Sequence, residues 1–186
     1  MGDFTAVLKS LNSGKADPAA LNLLFESAYG DLKRIAHSRL QHNQPITLLD
    51  TTALVHESYM RFLNAGKIDL DDRAHFIGYA ARVMRSVIVD FIRRRATDRR
   101  GGDLIHVSFS TDHENIAAKE DEVLRLDDAL AALQAVDPAL VTIVEMRFFA
   151  GMSVDEVAAA LAMSPRTVAR EWRKARLILA DALQGG

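Results

Sequence analysis

The sequence predicts an all-α protein of two helical domains joined by an acidic linker. Apolar residues return every three or four positions through most of the chain, the spacing of one helix face. A capping residue precedes proline at Asp17-Pro18, Asp137-Pro138 and Ser164-Pro165, the order found at helix starts. Charge is sharply segregated although the net charge is only −2. From Arg85 to Arg100 the local charge is +4, from Asp112 to Asp128 it is −5, and from Ser164 to Arg176 it is again +4.

The first helix follows Asp17-Pro18, with Leu21, Leu24, Phe25, Ala28, Tyr29, Leu32, Ile35 and Ala36 as its apolar stripe. "QHNQPITLLD" breaks it. Asp50 is the N-cap of a second helix that ends near "NAGK". Its inner side is Leu54, Val55, Tyr59, Phe62 and Leu63; its other side is Thr51, Thr52, Ala53, His56, Glu57 and Met60, which carries a single carboxylate. A third helix runs from 74 to 95 with Phe76, Ala80, Val83, Met84, Val87, Ile88, Phe91 and Ile92 in register. "RRGGDLIHVSFSTDHEN" holds two glycines, a short β-prone run and then polar residues, and marks the boundary. The division is a first domain over 1–100, a linker over 101–125 and a second domain over 126–186.

In the second domain Asp137-Pro138 starts a helix carrying Leu140, Ile143, Val144, Met146 and Phe148, and Gly151 ends it. Ser153 and Glu156 form a capping box for the next helix. After a short turn Ser164-Pro165 opens the last one, with Val168, Trp172, Ala175 and Leu179 facing inward. That is the layout of a helix-turn-helix, whose second helix puts its N-terminal residues against base edges in the major groove. Here those are Arg166, Thr167 and Arg170, with Arg173 and Lys174 one turn later near phosphates. Two basic patches around an acidic stretch suggest two contacts on one polyanion and an intervening segment that avoids it.

With 186 residues and no cysteine, the chain has no disulfides or thiolate metal sites, which suits a reducing compartment. The N-terminus lacks a secretory pattern, and no apolar run approaches the roughly 20 residues of a membrane span. The expectation is a cytoplasmic protein without a membrane partner. No catalytic group, cofactor or metal is indicated. His56-Glu57 begins a zinc-helix motif, but its fifth position is Met60. Asp31, Asp50 and Glu57 form only a weak carboxylate set for a helical hydrolase.

Taken together, these segments resemble an extracytoplasmic-function (ECF) sigma factor of the sigma-70 family. "GKADPAALNLLFESAYGDLKRIAHSRL" is similar to region 2.1, and "HFIGYAARVMRSVIVDFIRRR" to regions 2.3 and 2.4, commonly F-x-x-W-L-x-R-I-A-R-N-x-x-x-D-x-x-R-R-R. The stretch from "ALQAVDPAL" to "KARLIL" is similar to region 4. Phe76, Arg82, Arg85, Asp90, Arg93, Arg94 and Arg95 match the motif, while its Trp is Tyr79 and its Asn is Ser86. The resemblance implies a transcription-initiation subunit. Its first domain would hold the β′ coiled coil of core RNA polymerase and read unpaired −10 bases. Its second would bind the −35 duplex and the β flap, and its linker would thread toward the active-site channel. Arginines with interleaved aromatics (Phe76, Tyr79, Arg82, Arg85, Ser86, Arg93, Arg94 and Arg95) would grip the melted strand.

Many members of the class carry D-A-E-D-L-V-Q-E at the start of region 2.2, where the carboxylates meet basic residues of β′. Here that stretch is Asp50, Thr51, Thr52, Ala53, Leu54, Val55, His56 and Glu57, so two carboxylates are missing. The "TTALVHE" form resembles a divergent branch, some members of which are associated with Ser/Thr kinases. Phosphorylation of Thr51 or Thr52, with Thr51 preferred, would restore the charge, a phosphothreonine bringing about 1.5–2 negative charges. A Ser/Thr kinase and an anti-sigma factor are the further partners this suggests. The alternative is a stand-alone helix-turn-helix regulator with an N-terminal helical sensor domain.

Overall fold

In the computed structural model, the residues described are Phe4, Val7–Leu8, 18–43, 49–65, 70–101 and 111–184. Among them are seven α-helices: α1 (Pro18–Asn43), α2 (Thr51–Asn64), α3 (Arg73–Gly101), α4 (Thr111–Val136), α5 (Pro138–Val144), α6 (Val154–Ala160) and α7 (Pro165–Gln184). A π-helical turn, Glu145–Phe149, extends α5. The described residues are all-α.

Helices α1, α2 and α3 pack together around aromatic rings. Phe25 meets Tyr59, Phe62 and Phe76 edge-on at centroid distances of 5.1, 5.1 and 5.7 Å, and Phe4 closes on Phe76 at 5.6 Å. Edge-to-face contact suits the ring quadrupole and adds to what apolar burial alone provides. Asp50 caps α2, its carboxylate accepting from the Ala53 N–H at 2.8 Å. Asp72 does the same for α3, accepting from the His75 N–H at 2.9 Å.

Helix α3 differs from its sequence reading in two ways. It continues to Gly101, beyond the predicted end at 95. It also buries a second side, Ile77, Gly78, Ala81 and Val89, in addition to the predicted stripe. That second side is covered by the C-terminal half of the chain. The closest approach is at Gly78, where an added Cβ would lie 3.0 Å from Met146 Cγ. Absence of a side chain is what lets α3 and the π turn come so near.

More of the acidic segment is helical than its sequence suggests. Residues 102–110 of the predicted linker lie outside the described set, but from Thr111 the chain is helical and α4 runs unbroken to Val136. Leu130 and Leu133 of α4 are buried, with Val123, Leu126 and Ala129 partly so.

The π turn explains a second difference. Phe148, one of the apolar residues read along this helix, is 49% exposed, whereas its neighbour Phe149 is 6% exposed. A π turn bonds i to i+5 and holds one residue more than an α-turn. The apolar stripe therefore shifts by one position. Gly151 then takes a left-handed φ of +72° and turns the chain into α6.

Ser153 and Glu156 form the predicted capping box, with Glu156 Oε2 accepting from the Ser153 N–H at 2.6 Å and Ser153 Oγ accepting from the Glu156 N–H at 3.1 Å. Residues 161–164 form the turn, in which Ala162 adopts a left-handed φ of 50° and the Met163 N–H reaches the Ala158 carbonyl at 2.9 Å. Ser164 Oγ accepts from the Thr167 N–H and opens α7. Val168, Ala175 and Leu179 are its buried stripe, and Trp172 packs against the core from a partly exposed position.

These caps fix a pH response. The Ser153 N–H holds the Glu156 carboxyl below its ordinary range, and the Lys174 ammonium, then the Leu140 N–H, do the same for Asp137. A carboxyl whose folded pKa is depressed contributes stability above its unfolded pKa and loses it as pH falls through the folded value. Melting temperature is therefore expected to fall on acidification through and below the usual carboxylate range, and Glu156→Gln should flatten that fall. Ser153→Ala is expected to cost about 0.5–2 kcal/mol at neutral pH in a thermal melt.

Candidate nucleic-acid and polymerase interfaces

Three helix faces carry the residues singled out in the sequence. On α2, Thr52, His56, Glu57 and Met60 are exposed and Thr51 is half-buried. Its first turn contains no acidic residue, so apart from the capping carboxylate of Asp50 this face has only Glu57. The scarcity of charge noted in the sequence is a property of an exposed surface.

On α3 the residues divide. Arg82 and Arg94 are exposed. Tyr79 is half-buried, edge-on to Phe62 at 5.1 Å. Ser86 accepts from Arg61 Nη1 at 2.7 Å, and Arg61 Nη2 donates to Asp90 at 2.7 Å, so α2 and α3 are tied by one guanidinium. The Phe76 ring is fully buried within the aromatic cluster.

Three other arginines of α3 meet acids from the C-terminal half. Arg85, 15% exposed, pairs with Asp127 of α4 and donates to Glu145 Oε1 of the π turn at 2.8 Å, its guanidinium lying over the Phe149 ring. Arg93 reaches Asp127 at 3.2 Å and Asp128 at 3.4 Å. Arg95 lies 3.8 Å from the buried Glu120. The acidic segment, expected only to avoid a polyanion, thus packs against the basic helix. Burial pushes the Glu145 carboxyl above its usual range, and Arg85 pulls part of that shift back. Arg39 of α1 joins the seam, donating to the Phe148 carbonyl and lying over the Phe148 and Phe149 rings at 5.0 and 5.2 Å.

Glu145, Asp127 and Arg39 were not singled out in the sequence. One signal was there: Glu145 interrupts the apolar run "ALVTIVEMRFF", and a buried acid requires a cation. Nothing local said which cation.

On α7, Arg166 and Arg173 are exposed and Thr167 is partly so. Arg170, 71% exposed, pairs with the adjacent Glu171 at 2.7 Å, and Lys174 Nζ donates to Asp137 at 3.1 Å. Both pairs sit at the surface, where competition by phosphate costs little. No group of three or more potential metal ligands occurs among the described residues. No helix among them is long and apolar enough to cross a membrane.

These features describe an all-helical protein with cationic surfaces suited to a polyanion. The chain belongs to the ECF sigma factor family, whose sequence model matches residues 1–185. Comparison with curated proteins and with solved structures gives no significant match. Family membership brings RNA polymerase and DNA as general partners, and sigma factors are not enzymes.

Proposed function

We propose that this protein directs core RNA polymerase to specific promoters and is activated by threonine phosphorylation on α2. Residues 1–100 serve core binding and the −10 element, and residues 126–186 are the helix-turn-helix for the −35 element. The observation that carries this reading is the cationic face of α7, opened by Arg166 and Thr167 behind a capped turn, in a chain of this family.

Arg166 is the residue for base recognition and Arg173 for phosphate. Arg166→Ala is expected to weaken promoter binding about 10–100-fold, from the loss of about 1–3 kcal/mol of a bidentate base contact, and to relax preference at one position. Arg173→Ala is expected to weaken all sequences alike and to lower the salt slope by about one. Gel-shift titration of holoenzyme on promoter variants at several salt concentrations separates the two.

On α3, Tyr79, Arg82 and Arg94 are the accessible candidates for the melted strand, with Arg85, Arg93 and Arg95 joining once released from their acids. Asp50, Thr51, Thr52, His56 and Glu57 form the face offered to the β′ coiled coil, and a Ser/Thr kinase in the cytoplasm supplies the missing charge. In-vitro transcription with purified core polymerase tests the whole. Promoter-specific initiation dependent on this chain supports it. Tight duplex binding without polymerase, and no initiation with it, would point to a stand-alone regulator.

A further inference from the structure

The cationic groups of α3 are not idle in the free chain. Arg85, Arg93 and Arg95 each meet a carboxylate of the C-terminal half: Asp127 and Glu145, Asp127 and Asp128, and Glu120 respectively. The seam is apolar as well as ionic. Ile88 and Val89 of α3 share a cleft with Phe148 and Phe149, and Ile77 shares another with Ala150 and Met152. Gly78 leaves room for Met146, whose Cγ an added Cβ would crowd at 3.0 Å.

We infer that α4 and the π turn form an internal competitor for DNA, their carboxylates occupying the arginine sites that strand phosphates take in the open complex. The inference rests on the reading of α3 as the strand-binding helix. Carboxylate and phosphate make the same charge-assisted bonds to a guanidinium, and Arg85 and Arg93 each already hold two carboxylates, so a phosphate must compete for the same donors. Glu145 is well suited to a contact that must open. It is buried, so its charged form is tolerated only beside Arg85. Separation returns it to water, where it needs no partner. The apolar part of the seam favours closure, and displacement therefore needs another surface to cover α3. Promoter DNA on core polymerase supplies both the phosphates and that cover. The free chain keeps Arg85, Arg93 and Arg95 engaged and leaves Arg82 and Arg94 exposed, which weakens its hold on stray nucleic acid.

The absence of cysteine makes a direct test simple. Gly78→Cys with Met146→Cys places two thiols across the seam. Under mild oxidation the folded double variant is expected to form the bond readily, and failure to do so, with helix content intact by circular dichroism, would overturn the closed arrangement. Binding of a fluorescent single-stranded oligonucleotide carrying the −10 sequence is then measured by anisotropy at low salt with core polymerase present, before and after dithiothreitol, core alone giving the baseline. The oxidised form is expected to bind at least about tenfold more weakly, the equivalent of one lost charge-assisted contact. Asp127→Asn with Asp128→Asn, made without any cysteine, should shift affinity the other way, tightening binding in the full chain. Equal affinity of oxidised and reduced forms overturns the lock and leaves promoter recognition standing. No binding by either form or by the aspartate variant overturns both.

Discussion

Phe76→Ala is expected to remove about 3–5 kcal/mol of stability, from a third to most of the total of a domain at the lower end of the usual range of about 5–15 kcal/mol. The ring is fully buried and touches Phe4, Phe25 and Phe62 at centroid distances of 5.5–5.7 Å, so its loss opens a cavity at the meeting point of α1, α2 and α3. Urea denaturation without any nucleic acid is the deciding measurement. A residue that only stacked on DNA would melt like wild type. Phe76→Leu should recover part of the loss by refilling the space. Tyr79→Ala offers the opposite pattern. Its ring is half-buried against Phe62, so stability should fall less while strand binding falls more.

The second large effect is on transcription. Core polymerase with unmodified protein is expected to initiate weakly, and phosphorylation on α2 is expected to raise initiation about 10–100-fold. That range corresponds to one charge-assisted contact of about 1.5–3 kcal/mol to a basic partner. Thr52 is exposed and Thr51 half-buried, so Thr52 is the easier for a kinase to reach, whereas Thr51 sits at the first helical position, where the helix dipole favours a phosphate. Thr51→Glu and Thr52→Glu made separately should identify the site, with a smaller rise than phosphate because glutamate carries one charge. Thr51→Ala with Thr52→Ala should abolish the response to kinase. Equal initiation by all these proteins would end the idea of a switch.

The sequence made individual helices legible wherever the cause was local. Asp50, Ser153 and Ser164 cap the helices they were expected to cap, because a side-chain acceptor next to free N–H groups acts over three residues. The stripe of α7 was readable for the same reason. What escaped was decided by distant partners. The second buried side of α3 was invisible because its residues look like ordinary small and apolar helix positions until α4 and the π turn are laid on them. Phe76 matches the motif, and nothing local in the sequence shows that the other aromatics of the chain enclose its ring. The acidic stretch was read from the sign of its charge. Its geometry turned that repulsion from DNA into attraction toward the arginines beside it.

The π turn has a wider effect than moving one phenylalanine. An α-helix advances 100° per residue, so one surplus residue between Glu145 and Phe149 rotates everything downstream by more than a quarter of a circle. The capped pair α6 and α7 takes its compass bearing from that surplus. Excising a single residue there would leave caps, stripe and basic groups intact and aim them elsewhere, so kindred chains differing by one position at this point would present the same recognition helix along a different heading.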